Sequence, residues 1–153
     1  MVKTGNRHQA REAALQILYQ WEVGRIPPGE AVARHWDIEQ DAPELPDAAR
    51  RFARELALGT IAHVAAIDPL LEHHAQHWRL ERMAVIDRLI LRMAVFEFLH
   101  LPDTPRTVVI DEAIELARTF SEQESVRFVN GVLDGVHHAL AAEAGGGDAG
   151  GGS

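Results

Sequence analysis

Cysteine is absent from the 153 residues. That excludes disulfides, thiolate zinc sites and cysteine nucleophiles, and it fits a reducing compartment. Positive charge is in the minority, with 15 Lys and Arg against 23 Asp and Glu, a formal net charge of −8. Lys3 is the sole lysine. A general nucleic-acid binder carries a basic field, so any RNA contact must come from a local patch and should be weak without a second subunit. Long apolar runs are lacking too, because Arg, Asp or Glu interrupts each, so no membrane span is expected. Met1 to Gln9 is polar, without the apolar core of a signal peptide, and the expected location is cytoplasmic. No stretch alternates with period two, so no sheet is predicted. No glycine-rich phosphate loop or nucleophile elbow occurs. The expectation is a protein without an active site or cofactor.

What is present is helical periodicity almost throughout. A first helix is expected from Arg7 to Val23, with Ala10, Ala14, Ile17, Leu18 and Trp21 on one stripe, Asn6 as its cap and Gly24 ending it. Ile26-Pro27-Pro28-Gly29 is a turn, and a short helix follows from Glu30 to Glu39. Asp41 to Pro46 is a loop. A third helix starts at Asp47 and buries Phe52, Leu56, Thr60, Val64 and Ile67. Asp68-Pro69 is expected to break the chain and open a fourth helix over Leu70 to Trp78. Met83 to His100 is apolar enough to be buried on most sides. Leu101 to Pro105 is a linker, Thr107 to Phe120 a helix, and Ser121 to Glu124 a capping box opening a last helix that ends near Ala142. The Gly-rich stretch 143–153 is expected to be a disordered tail beyond a single domain of residues 1–142. The sum is an all-α fold of about seven helices in two small sub-bundles.

Some large side chains fall off the core stripes. Phe128 lies about 100° from Val129 around the last helix. It either packs on a neighbouring helix or offers a stacking platform to an unpaired base, with Arg127 and Asn130 beside it. Tyr19 lies opposite the first helix's stripe, in a row with His8, Glu12 and Leu15 and flanked by Arg11. That row is either central packing or a partner face. Lys3, Arg7, His8 and Arg11 place cations at a helix N-terminus, where the macrodipole disfavours them. His73, His74 and His77 offer an i, i+4 pair without a third ligand, and solvated histidines are the favoured reading. Glu97 interrupts an apolar run and needs a structural partner.

Four blocks together carry a resemblance. Ala10-Arg11-Glu12-Ala13-Ala14-Leu15-Gln16-Ile17-Leu18-Tyr19-Gln20-Trp21 resembles the opening helix of the NusB family. Asp87-Arg88-Leu89-Ile90-Leu91-Arg92-Met93-Ala94-Val95-Phe96-Glu97 is similar to its central helix. Ile110 to Ala117 and Phe128-Val129-Asn130-Gly131-Val132-Leu133-Asp134 resemble its two closing signatures. The resemblance implies a transcription antitermination factor. It would bind boxA RNA of nascent ribosomal RNA transcripts together with the ribosomal protein NusE, and help assemble the Nus factors on RNA polymerase. It also implies an RNA site of Lys3, Arg7, His8, Arg11, Tyr19, Arg92, Glu124, Arg127 and Phe128, with Tyr19 and Asp87 facing the partner. Asn6, Gln9 and His8 interrupt the family's arginine run. The implied consequence is weaker RNA binding by the isolated protein, strengthening below about pH 6.5 as His8 gains charge. A helical protein–protein adaptor without RNA contact is the alternative, and a homodimer of the free protein stays open.

Overall fold

The computed structural model describes residues 4–38, 45–75 and 80–151. Seven α-helices are present among them: α1 (Thr4–Glu22), α2 (Pro28–Ile38), α3 (Asp47–Ala62), α4 (Val64–His74), α5 (Val85–His100), α6 (Arg106–Phe120) and α7 (Gln123–Gly151), with a 3-10 turn at Leu80–Arg82 before α5. There is no strand among the described residues. Helices α1, α2 and α3 pack together, as do α4, α5, α6 and α7, and α5 also touches α1 and α3. The expected all-α architecture of two sub-bundles is therefore observed, with α5 as the shared element. Its apolar sequence explains that position. Every residue from Leu89 to Phe98 is buried, and so is Asp87.

Boundaries differ from expectation where tertiary contacts outweigh local signals. Helix α1 starts before Asn6, which lies inside it and is not its cap. At its other end Gly24 is not the left-handed residue. A side chain at Gly24 would meet the Gln20 carbonyl oxygen at 2.6 Å, so glycine is needed there for space. The positive φ of 56° falls on Arg25 instead, a conformation that costs an L-residue about 1–2 kcal/mol.

The break between α3 and α4 is at His63, not at Asp68-Pro69, and Pro69 lies within α4. The His63 ring explains the shift. Its Nδ1 lies 2.8 Å from the Gly59 carbonyl oxygen, and the ring packs against His100 and Phe96 at centroid distances of 4.1 and 5.6 Å. Asp68 is recruited by α5 rather than serving as a cap. The predicted buried face largely holds, with Phe52, Leu56, Thr60 and Ile67 buried and Val64 half-buried. The expected end of α4 at Trp78, and His77 with it, lie outside the described residues.

Ser121 does not act as the cap of a capping box, because its hydroxyl turns to Asp87. Helix α7 then continues to Gly151, past the expected end near Ala142. Adding a residue to a formed helix fixes one residue per hydrogen bond, without the cost of nucleation, and Ala141 to Ala144 carry the register onward on an exposed stretch.

The bundle's most demanding contact joins α1 to α5. Arg11 Nε and Nη2 donate to the two Glu97 carboxylate oxygens at 3.0 and 2.8 Å. Both side chains are almost fully buried, at 3% and 2% exposure. Glu97 thus has the structural partner its position requires. Removing one member leaves an uncompensated buried charge. Arg11→Ala or Glu97→Ala is expected to lower unfolding free energy by about 3–5 kcal/mol, read from urea melts followed by circular dichroism. Arg11→Met combined with Glu97→Leu should recover most of that loss.

Candidate nucleic-acid interface

The N-terminal half of α5 is where charged side chains of several elements meet. An otherwise apolar helix here carries Asp87, Arg88 and Arg92, and between them they reach α1, α4, α7 and the turn before α5. Arg92 makes a two-pronged pair with Asp68 of α4, at 2.8 Å on both arms, and reaches Glu22 of α1 at 3.4 Å. Burial alone would lower the Arg92 pKa, but the carboxylates of Asp68 and Glu22 raise it overall, so the guanidinium stays charged. Arg88 donates to the Leu80 carbonyl oxygen at 2.9 Å and to the other Glu22 oxygen at 3.2 Å. Asp87 faces α7 and accepts from the hydroxyls of Ser121 and Ser125 at 2.6 and 2.7 Å.

Two surface features flank this network. On the α1 side, Tyr19 lies one turn before Glu22 and is 41% exposed, with Val23 beyond it at 48%. The rest of the Tyr19 row is different. Leu15 is buried at 2%, so α1 is packed on two sides at that height, while His8 and Glu12 are half-buried. On the α7 side, Phe128 is half-buried against the core. With Arg82, Met83, Asp87, Glu124 and Ser125 it lines a cleft of about 310 Å³. A wider depression on the other side of Glu124 is lined by Arg118, Gln123, Val126 and Arg127. Arg82, Glu124 and Arg127 are exposed, and no ion pair to Arg82 or Arg127 forms among the described residues. The two features are linked through Glu22, Arg88 and the Leu80–Arg82 turn.

The N-terminal cations are arranged otherwise than expected. Arg7 lies over the Phe52 ring at 4.3 Å. His8 is held between Glu12 at 2.9 Å and Glu112 at 2.7 Å, one ring nitrogen to each. Arg11 is buried with Glu97 and cannot meet RNA from that position. Arg92 and Asp87, at 7% and 6% exposure, are likewise internal struts rather than contact residues. Their charges are consumed by neighbouring helices, because a buried charge is tolerated only when paired. Both His8 ring nitrogens are thus taken up by carboxylates of the same molecule. Lys3 lies outside the described residues. The structure thus leaves Tyr19, Glu124, Arg127 and Phe128 at or near the surface. It adds Arg82, for which the only signal was the clustering of charge just before an apolar helix.

An all-helical protein whose distinctive surface is an aromatic and arginine-bearing cleft, built on a buried charge network, belongs with helical binding proteins. The chain belongs to the NusB family, whose model matches residues 8–138. It is 46% identical to the transcription antitermination protein NusB of Koribacter versatilis, over 93% of this chain and 95% of that protein. It is 45% identical to the protein of the same name from Myxococcus xanthus, over 89% and 97%. Among solved structures, it is similar to a chain of antitermination factors NusB and NusE in complex with double-stranded RNA. That match has a TM-score of 0.79 and 26% identity, covering 90% of this chain and 99% of that one. It is also similar to T. maritima NusB, with a TM-score of 0.74 and 33% identity, covering 85% and 89%.

The Asp87 network tests cleanly by mutation. Asp87→Ala leaves the buried Ser125 hydroxyl without its carboxylate acceptor, although Ser121 can still donate to Ser125 Oγ at 2.9 Å, and is expected to cost about 1–3 kcal/mol in urea unfolding. Ser121→Ala, which leaves the Ser125 bond to Asp87 in place, should cost about 0.5–1.5 kcal/mol.

Proposed function

We propose that this protein is a transcription antitermination factor that grips single-stranded boxA RNA of nascent ribosomal RNA transcripts together with the ribosomal protein NusE. In this reading it helps to assemble the Nus factors on RNA polymerase, in the cytoplasm and without catalysis. The observation that carries the reading is the fold's match, over nearly its whole length, to a chain solved with NusE and double-stranded RNA. The surface chemistry supports it. Phe128 and Arg82 line one cleft, and arginine beside an aromatic side chain suits a splayed-out base and its phosphate. Tyr19 offers a second ring at the far side of α5.

Electrostatics shapes how this would work. The net charge of −8 repels RNA at long range, and Arg7, His8 and Arg11 are engaged within the protein. Binding by the isolated protein is therefore weak, and a partner that brings its own cations is needed to hold the strand. The same observations favour the adaptor reading, in which the protein recruits NusE but never touches RNA.

Salt separates the two. RNA affinity of the NusE pair should fall with a negative log–log slope against salt concentration. Phe128→Leu keeps an apolar side chain of similar bulk but removes the flat ring. It is expected to weaken RNA binding by about 1–3 kcal/mol while changing unfolding free energy by less than about 1.5 kcal/mol. Equal RNA affinity for this variant and the parent would exclude Phe128 as a stacking platform. We also place the RNA-binding unit within residues 1–142, so deleting 143–153 should leave both RNA affinity and the urea midpoint unchanged.

A further inference from the structure

Glycine is, after proline, the poorest residue for a helix interior, so a helical glycine needs a reason. For three of the glycines whose surroundings are defined, the reason lies inside the molecule. A side chain at Gly59 would strike the Phe96 ring at 2.1 Å, one at Gly24 the Gln20 carbonyl oxygen at 2.6 Å, and one at Gly135 would press on His74 Nδ1 at 3.0 Å. Gly29 has open space around it, but it sits in the first turn of α2, where helix propensity counts for little. Gly131 is different. It lies well inside α7, it is exposed, and a Cβ added there would meet nothing within 4 Å. The fold would be better served by alanine.

The position of Gly131 says what the bare backbone faces. It is about 40° around the helix from Arg127 and about 60° from Phe128, one turn further along the axis. Val129, Val132, Leu133 and Val136 are buried on the opposite side. Gly131 is therefore the floor next to the exposed guanidinium of Arg127 and the half-buried ring of Phe128, with the exposed amide of Asn130 adjoining it. Arg127 makes no ion pair among the described residues, so its charge is available to a phosphate, while the carboxylate of Asp134, three residues beyond Gly131, lies 3.4 Å from His138 Nε2.

We propose that Gly131 is the point where the sugar-phosphate backbone of single-stranded RNA crosses α7 in van der Waals contact, between a base stacked on Phe128 and a phosphate held by Arg127. This rests on the RNA reading above and adds a contact residue to it. The missing side chain lets the strand approach closely enough for both neighbours to engage, at the expense of helix stability.

The test uses the full chain paired with NusE, a boxA oligoribonucleotide, and the variants Gly131→Ala, Gly131→Gln and Gly29→Ala. Gly131→Ala should raise Tm by about 2–4 °C and yet raise the RNA Kd roughly tenfold. Gly131→Gln, a good helix former with a longer side chain, should raise the Kd further. Gly29→Ala should leave the RNA Kd unchanged, and all variants should bind NusE as the parent does. RNA affinity equal to the parent's in both Gly131 variants would overturn the inference while leaving the RNA reading intact. So would a fall in Tm for Gly131→Ala, which would mean the space is used internally. Loss of NusE affinity with RNA contact unaltered would overturn it in favour of a protein face. No RNA binding by the parent pair would overturn the RNA reading itself, and this inference with it.

Discussion

A helix buried on nearly every side cannot hold a charge without a partner, and α5 holds four: Asp87, Arg88, Arg92 and Glu97. Each draws a particular neighbour to a particular height along α5. Glu97 takes Arg11 of α1. Arg92 takes Asp68 of α4 and shares Glu22 of α1 with Arg88, while Arg88 also ties down the 3-10 turn. Asp87 takes Ser121, just before α7, and Ser125 in its first turn. Apolar packing alone is nondirectional and would tolerate several arrangements of seven amphipathic helices. These polar contacts are directional, and leaving any one unmade in a low-dielectric interior is expensive. They select one arrangement and join the two sub-bundles through α1 and α5.

The same network decides what remains for binding. Arginines that satisfy buried carboxylates cannot also hold phosphates, so the surface keeps only the cations that the interior did not recruit. Arg82 and Arg127 are of that kind, and they stand on either side of Glu124 in neighbouring depressions. An acidic protein with so small a cationic surface is suited to sharing a nucleic acid with a second subunit. The left-handed backbone of Arg25 turns the chain so that the Ile26 N–H reaches the Gln20 carbonyl oxygen, whereas Gly131, with empty space where a side chain would fit, carries a local cost without an internal reason. Sites that give up stability in this way are often those that meet something outside the chain.

Helix existence and helix faces were legible because apolar periodicity reports burial directly. The buried faces of α3 and α5 follow from it, and so does the structural role of Glu97. Boundaries were less legible, since Asp68-Pro69 and Ser121 are strong local signals that distant side chains overruled. Within the candidate site, Tyr19 and Phe128 stood out as rings off the core stripe. Arg11, Arg92 and Asp87 look in sequence like members of the same cationic and acidic surface. Spacing along one helix gives no information about which carboxylate on another helix an arginine will meet.

By itself, then, the order of residues determined that the chain is helical, which sides of its helices are apolar, and to which family it belongs, because these depend on local periodicity and on blocks of adjacent residues. Only the tertiary structure decided which charges are spent inside the bundle and which are left for a partner. That division depends on pairs such as Arg11 with Glu97 and Arg92 with Asp68, whose members are far apart along the chain and meet only when the helices pack.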